Sequence, residues 1–517
     1  VRLYFLLLFC LTSLLHALPP SNSSFVEAGH DGGLDALKME LRAIQHGESQ
    51  TLRVLRVGDS LAGRISQEIE RQVLTKWFPG AVYASDSKGR GGIYTPTYPS
   101  GLRYTKSDYS LTFVGSYILL PIEGGFKFSA YQSGDYYAPF LVDRLKIPYL
   151  KESGSGSFRV KISGENPLQE NVFRGPELTN GELVVNADGS GEMDWIELRF
   201  DSVQSHIIDI EHVSGSEVRF LHPTMEITTE PTVNFYHLGE GSNNFINIED
   251  SSVVVMARLI EMLEPDIILT QSDDELGAYE NMLPKLKSAI DLAGLETRPA
   301  VILVGEGPKL NFSFNYDYTL KIEAANAYQR AYAAEQGWSY IDLMGIANDM
   351  DTLLARGLAG DGVHLDRNFY LLGAQIGACG LGLYPSDDAL PVLDLDGDSL
   401  SDLNEYLLAG SHPLLADTDS DGLEDDFEAQ AGLSPRISIA TTLEALGSVA
   451  PQLLMSNSLI SVDAESGVTI GFQIKKSTDL INWNPVAPQS VHIDGEHINV
   501  GLGEVQSESE FYRIGVK

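Results

Sequence analysis

The sequence predicts a mixed α/β protein: a doubly wound parallel sheet interrupted by an antiparallel β-sandwich, then an acidic segment and a small β-domain. Three observations carry that expectation. Short apolar runs alternate with helical stretches over 231–386, and a strand and helix of the same texture precede them at 51–78; strands alternating with helices imply a parallel sheet. Between these parts, runs such as FRVKI, GELVV, WIELRF, HIIDI and EVRFL are punctuated by SGSGS, NADGSG and SGS, as in antiparallel strands joined by tight turns. After Pro391 the chain becomes Asp-rich in two related stretches.

Taken in order, VRLYFLLLFCLTSLLHALPP offers Arg2, an apolar core from Leu3 to Leu15 and a cleavage site at Leu15-His16-Ala17. It is short for a membrane span and reads as a signal peptide over 1–17, which makes the protein secreted or cell-surface. Val1 reads as a bacterial non-AUG start. Residues 18–50 are polar and read as a linker with one short helix. TLRVL then starts a buried strand, with Leu52, Val54, Leu55 and Val57 apolar. Ile65, Ile69, Val73, Leu74 and Trp77 follow at helical spacing up to Pro79-Gly80. That strand and helix open the α/β domain over 51–92, and the β-sandwich fills 93–230. The domain resumes over 231–386, with strands in VNFYHLG, DIILT, AVILVG and SYIDLM and helices over 251–264, 277–294 and 318–336. The acidic segment spans 391–433. FQIKKSTDLINWNPV, HINVGL and FYRIGVK make the last part, 434–517, a small β-domain.

Composition narrows the partners. The 517 residues are 43% apolar, ordinary for globular protein, and 35 basic against 72 acidic residues give a net charge of −37. Such a chain repels nucleic acid and anionic membranes and suits cations or neutral substrates. With the leader removed, Cys379 is the one remaining thiol, so no intramolecular disulfide can form. Its setting, GAQIGACGLGL, marks a small core residue. An exported chain without disulfides needs another staple.

RVGDSLAGRI places Ser60 at a strand-to-helix turn, where free N–H groups and the helix dipole favour an oxyanion. Gly-Asp-Ser alone also fits a plain turn. A nucleophilic serine needs a base, and the base needs an orienting carboxylate. GDGVHLDRNFYLLGAQIG supplies both, with Asp361 three residues before His364 in one turn and a helix beginning near Asp366. The bland reading leaves Asp361 as a turn cap and His364 as a surface residue. What separates the two is that the blocks bracket one α/β domain, at its first strand and last helix.

With both blocks the chain resembles the SGNH (GDSL-type) hydrolases over 50–92 and 231–386. The resemblance implies a flavodoxin-like, three-layer α/β/α sandwich with Ser60 as nucleophile and oxyanion donor, Asp361 and His364 completing the triad, and no cofactor for catalysis. The family's second block, a glycine, maps to Gly241 in HLGEGSNNF, with Gly239 the weaker match. Its third block, Gly-x-Asn-Asp, departs here: in DIILTQSDDELG, Thr270 stands for the glycine and Ser272 for the asparagine, while Asp273 remains. Ser272 is then the weak third oxyanion donor. Gln271 has the amide chemistry but lies one residue out of register.

The acidic segment holds two repeats of one pattern. DLDGDSLSDLNE puts Asp394, Asp396, Asp398, the Leu400 carbonyl, Asp402 and Glu405 at positions 1, 3, 5, 7, 9 and 12. DTDSDGLEDDFE does the same with Asp417, Asp419, Asp421, the Leu423 carbonyl, Asp425 and Glu428, and has Gly422 at position 6. These are the oxygen positions of a wrapped Ca²⁺ loop. The first loop has its glycine, Gly397, at position 4 instead. The pair resembles bacterial thrombospondin type 3 repeats and, more weakly, dockerin modules. The first resemblance implies structural calcium and a spacer, the second a cohesin-like or cell-surface partner. Calcium is expected to staple the segment and to leave the triad chemistry largely unaffected.

Export, the acidic surface and the insert together favour an acylated polysaccharide as substrate. The insert is rich in tyrosine, including Tyr94, Tyr98, Tyr104 and Tyr149, and exposed aromatic faces suit sugar stacking. No strongly apolar lid, as a lipase would want, is visible. The reading is a secreted carbohydrate O-acetylesterase. The alternative is a calcium-stapled polysaccharide-binding protein with a degenerate hydrolase site.

Overall fold

The computed structural model describes, short gaps apart, residues 25–58, 142–238, 252–384 and 393–438, with pieces at 65–78 and separate strands within 103–129 and 459–516. The expected signal peptide lies outside the described residues. The chain divides into two units, Val1–Ala416 and Asp417–Lys517.

The first unit runs β1 (Val26–Glu27), α1 (Gly33–Gln45), β2 (Thr51–Gly58), a 3₁₀ turn at Leu74–Trp77 and β3 (Arg103–Tyr109). Then come β4 (Ile118–Leu120), β5 (Gly125–Ser129), β6 (Val142–Lys151), β7 (Ser157–Ile162) and β8 (Val172–Arg174). They are followed by β9 (Leu183–Asn186), β10 (Glu192–Gln204), β11 (Ile207–Ser214), β12 (Val218–Phe220) and β13 (Thr224–Glu226). The α/β alternation resumes with β14 (Thr232–Leu238), α2 (Val253–Leu263), β15 (Ile267–Gln271), α3 (Leu276–Ala293) and β16 (Ala300–Val304). It closes with α4 (Thr319–Gln336), β17 (Ser339–Ile341), α5 (Leu343–Ala347), α6 (Met350–Ala355), α7 (Arg367–Leu381) and the single turn α8 (Asp402–Asn404).

One sheet organises this unit, in the order β1-β17-β16-β15-β2-β14-β3. All neighbours are parallel except the β1–β17 pair. Numbered along the chain, its five α/β strands lie in the order 2-1-3-4-5, a doubly wound arrangement. β15 and β16, IILTQ and AVILV, are buried at every position, as strands covered on both faces must be. One face packs Leu52, Val54, Ile267 and Leu269 against α1, α7 and the helical residues Ile65 and Ile69. The other packs Leu55, Val57 and Ile268 against α2, α3 and α4.

The α7 run that placed Cys379 in a small-residue context is explained by close approach. A Cβ on Gly377 would lie 2.5 Å from Ile341 Cδ1, so any larger residue would have to displace the end of that side chain for α7 to sit this near β17. The gain in packing offsets the roughly 1 kcal/mol a mid-helix glycine costs. Cys379 is half-buried against this core, and burial pushes its thiol up to about 11, the behaviour of a packing residue.

Two boundaries differ from the sequence reading. Residues 18–50, read as a linker with one short helix, contribute β1 to the sheet edge and the 13-residue α1 to its core. Leu34, Leu37, Leu41 and Ile44 form the buried stripe of that helix, a spacing masked by the polar residues between them. β3, from the stretch read as sandwich, instead extends the main sheet beside β14.

β4 to β13 make two antiparallel sheets, β4-β12-β6-β10-β8 with β13 on β6, and β5-β11-β7-β9. Alternate residues of both sheets, among them Leu145, Ile147, Phe158, Val160, Ile196 and Phe220, share one core. Tyr149 belongs to that core, edge-on to Phe158 at 5.1 Å and 5% exposed, so it is no sugar platform. Lys146 of β6 donates to the Met262 carbonyl at the end of α2 and pairs with Glu226 at 3.3 Å. Burial alone would raise Glu226, but Lys146, Arg144 and Arg53 outweigh it and hold the carboxylate ionised.

At the opposite edge of the sheet from the strand carboxyl ends, Asp266 accepts the Arg53 N–H at 2.7 Å and donates its own N–H to the Arg53 carbonyl at 2.9 Å. Burial pushes its carboxyl up to about 6, against the pull of Arg53. A carboxyl raised in the folded state stabilises in acid, and that contribution is lost as pH rises from about 4 through 6. Asp266→Asn keeps the acceptor and removes the charge. It should therefore stabilise by about 1–3 kcal/mol at pH 8 and by nothing at pH 4. Thermal melts at the two pH values check this, and a lower melting temperature at pH 8 would count against it.

The second unit begins in the second acidic loop and α9 (Asp425–Ala431). It continues with β18 (Leu459–Asp463), β19 (Gly467–Ser477), β20 (Asn484–Val486), β21 (Ser490–Asp494), β22 (His497–Gly501) and β23 (Phe511–Val516). β19 is central, pairing with β18, β20 and β23, and β21 and β22 form a hairpin.

Candidate active site

In a doubly wound sheet, a binding crevice opens at the strand carboxyl ends where the order reverses, here between β2 and β15. β2 ends at Gly58, whose φ of +137° is a conformation that L side chains rarely adopt. The glycine of Gly-Asp-Ser thus lets the chain turn off the strand at the switch point. Gly58 pairs in register with Gln271, and Val57 with both Thr270 and Leu238, so the carboxyl ends of β14, β2 and β15 lie level.

Ser60, Gly241, Asp273, Asp361 and His364 lie outside the described residues. Their flanks converge on this edge. Ser60 is two residues past Gly58, and Gly241 three past Leu238. Leu365, next to His364, approaches Gly307, just beyond β16: a Cβ built on that glycine would be 2.8 Å from Leu365 Cδ1. Asp366 then caps α7, accepting the Asn368 N–H at 2.8 Å. As expected, a helix starts there.

Gln271 and Ser272 are both buried, at 1% and 0% exposure. Strand alternation puts Gln271 on the face of Ile267 and Leu269, which is also the face of Ile65, Ile69 and α7, the helical elements that follow Ser60 and His364. Its Oε1 is buried with no hydrogen-bond partner. The Ser272 carbonyl accepts from the Tyr279 hydroxyl of α3, on the opposite side of the sheet. Thr270 is buried within β15, which runs on to Gln271. One residue escaped sequence reasoning. Arg56 is 1% exposed on the Gln271 face, in register with Leu269. A charged residue within a stretch of β2 that is buried from Val54 to Gly58 was its signal.

The two acidic loops wrap alike. The position 5 carboxylate accepts the position 7 N–H, Leu400 to Asp398 at 2.7 Å and Leu423 to Asp421 at 3.0 Å. The position 9 carboxylate accepts the position 2 N–H, Leu395 to Asp402 at 2.9 Å and Thr418 to Asp425 at 2.8 Å. Positions 4 and 6 are left-handed in both loops: Gly397 and Ser399 at +81° and +83°, Ser420 and Gly422 at +59° and +94°. Each loop spends its glycine on one of these positions and holds a serine at the other. The displaced glycine of the first loop therefore leaves the backbone path unchanged.

The donor sets fit a hard divalent cation. Asp394, Asp396 and Asp398 bring oxygens within 4.8 Å of one another, as do Asp417, Asp419 and Asp421. Asp396 Oδ2, Asp402 Oδ2, Asp419 Oδ2 and both Glu428 carboxylate oxygens are buried without hydrogen-bond partners. Burial first, then neighbouring carboxylates, push Asp396, Asp402 and Glu428 up to about 7. A bound cation would offset both effects. The first loop packs into the sheet unit through Leu403 and Leu414, which lends no support to a cohesin-like partner there.

The sequence matches no family model and no curated protein. Its fold is similar to that of a peptidoglycan O-acetylesterase, at 14% identity over 69% of this chain and 98% of the other, with a TM-score of 0.43. A protein described as a GDSL-like lipase from Bacteroides ovatus matches at 9% identity over 48% and 80%, with a TM-score of 0.21. A family two carbohydrate esterase from Clostridium thermocellum, solved as an active-site mutant, matches at 11% identity over 50% and 94%, with a TM-score of 0.16. Among the described residues no helix is long and apolar enough to cross a membrane.

Proposed function

We propose that this chain is a secreted bacterial serine esterase of the SGNH type that removes O-acetyl or similar acyl groups from a polysaccharide. The observation that carries the reading is the left-handed Gly58 at the switch point, level with Gln271 and two residues before Ser60. Ser60 Oγ attacks the acyl carbonyl as His364, oriented by Asp361, takes its proton. The oxyanion is met by the Ser60 and Gly241 N–H groups and by the Gln271 side-chain amide, whose face of β15 favours it over Ser272. Collapse breaks the bond to the sugar oxygen, which leaves with the proton from His364. Water, deprotonated by His364, then attacks the acyl-serine, releasing the carboxylate and restoring Ser60.

Acetate release from a panel of acetylated glycans tests the reading. The wild-type protein should release acetate from at least one of them and Ser60→Ala from none. Glycan binding without release would favour the non-catalytic alternative.

The acidic loops are read as structural calcium sites, one in each loop. Calorimetric titration of metal-free protein should show about two sites, with Glu405→Ala and Glu428→Ala each removing one. No heat of binding at millimolar Ca²⁺ would reduce the segment to a solvated acidic linker.

A further inference from the structure

Arg356 links the first acidic loop to the segment that carries Asp361 and His364. It follows α6 directly. Its Nη1 donates to the Asp396 carbonyl at 2.5 Å and its Nε to the Leu414 carbonyl at 3.2 Å. One planar guanidinium thus holds the acidic loop and the chain returning from it. The same stretch is anchored again by His412, whose Nε2 lies 3.0 Å from the Gly345 carbonyl and whose ring meets Phe25 edge-on at 5.6 Å.

On its other side Arg356 leads within two residues to Leu358. The Leu358 N–H donates to the Leu353 carbonyl at 2.7 Å, and the Leu358 carbonyl accepts the Asp366 N–H at 2.8 Å. That second bond closes the base of the 358–366 segment, and Asp361 and His364 belong to the stretch it closes. Leu358, Ala359 and Leu365 belong to the same hydrophobic core as Leu403 and Leu414.

The residue whose carbonyl Arg356 holds is also a member of the acidic cluster. Asp396 is 8% exposed, its carboxylate lies within 4.8 Å of those of Asp394 and Asp398, and its Oδ2 has no hydrogen-bond partner. A cation on its carboxylate and a guanidinium on its carbonyl would fix the residue from both sides. With no cation, the crowded carboxylates repel one another, and Arg356 loses a fixed acceptor.

We propose that Arg356 is a positioning residue: a divalent cation in the first acidic loop fixes Asp396, and Arg356 carries that restraint to the Leu358–Asp366 closure that sets the Asp361–His364 segment. This rests on the esterase reading, and it departs from the expectation that calcium leaves the triad chemistry unaffected. The warrant is mechanical. Small displacements of a catalytic group are costly, about 10²-fold for roughly 1 Å.

The test compares wild type, Arg356→Ala and Arg356→Lys, each in calcium chloride and in EGTA. Amide exchange over 357–366 is followed alongside hydrolysis of a chromogenic acetate ester. Chelation should speed exchange of the Asp366 amide about tenfold or more, and lower kcat by about 10- to 100-fold with KM nearly constant. Arg356→Ala should show both changes with calcium present and little further response to EGTA, and Arg356→Lys should fall between. Asp366 exchange that ignores both chelation and Arg356→Ala would overturn the proposal, as would the absence of calcium binding to the wild type. If exchange responds as expected but no ester is cleaved, the esterase reading fails while the calcium-dependent closure stands.

Discussion

Ser60→Ala is expected to lower kcat/KM for a chromogenic acetate ester by about four to six powers of ten, with His364→Ala costing nearly as much and the double variant little more. The reason is that the serine is a poor nucleophile until the imidazole takes its proton, and the imidazole has no other task in the reaction. Removing either leaves only the oxyanion donors and the binding surface, which act equally in all three variants. Losses that simply multiplied in the double variant would mean that the two residues act independently. A Ser60→Ala protein with wild-type turnover would remove the hydrolase reading altogether.

The second large effect is expected at Gln271. Its side chain shares a strand face with Ile267 and Leu269, beside the helical residues that follow Ser60, and it stands level with Gly58. Losing one oxyanion donor costs about 10²–10³ in kcat, so Gln271→Ala should lose that much with KM nearly unchanged. Stability offers a clean control. Oε1 is buried without a partner, so Gln271→Ala loses no hydrogen bond there, and the melting temperature should fall by no more than the cavity costs. Lost turnover would then report chemistry rather than unfolding. Ser272→Asn should change little, because the chain at Ser272 is engaged by Tyr279 on the far side of the sheet. A rise in turnover for Ser272→Asn with a neutral Gln271→Ala would return the role to Ser272.

How much was legible in the sequence depended on whether a signal was local. β14 to β17 and α2 to α4 follow the expected runs closely, because apolar periodicity and a helix-ending glycine, such as Gly337 at φ +71° just after α4, act within a few residues. The N-terminal segment was harder. β1 is two residues long and exists only because β17 offers it a sheet edge, and α1 hides a narrow buried stripe in a polar stretch. In the acidic loops the spacing of oxygens was plain, while the equivalence of Gly397–Ser399 and Ser420–Gly422 was not, since it lies in backbone angles.

The sequence by itself determined the kinds of chemistry at hand: a serine after Gly-Asp, a histidine three residues from an aspartate, and two oxygen-rich loops of fixed spacing. Those are properties of residue type and short separation, which the chain carries unfolded. Only the tertiary structure decided which faces and partners these groups meet. It turned Gln271 toward the side of the sheet where the helical elements after Ser60 and His364 pack. It also fastened the first acidic loop, through Arg356, to the base of the segment bearing His364. Strand register and long-range packing set both outcomes, and neither quantity can be read from a run of neighbouring residues.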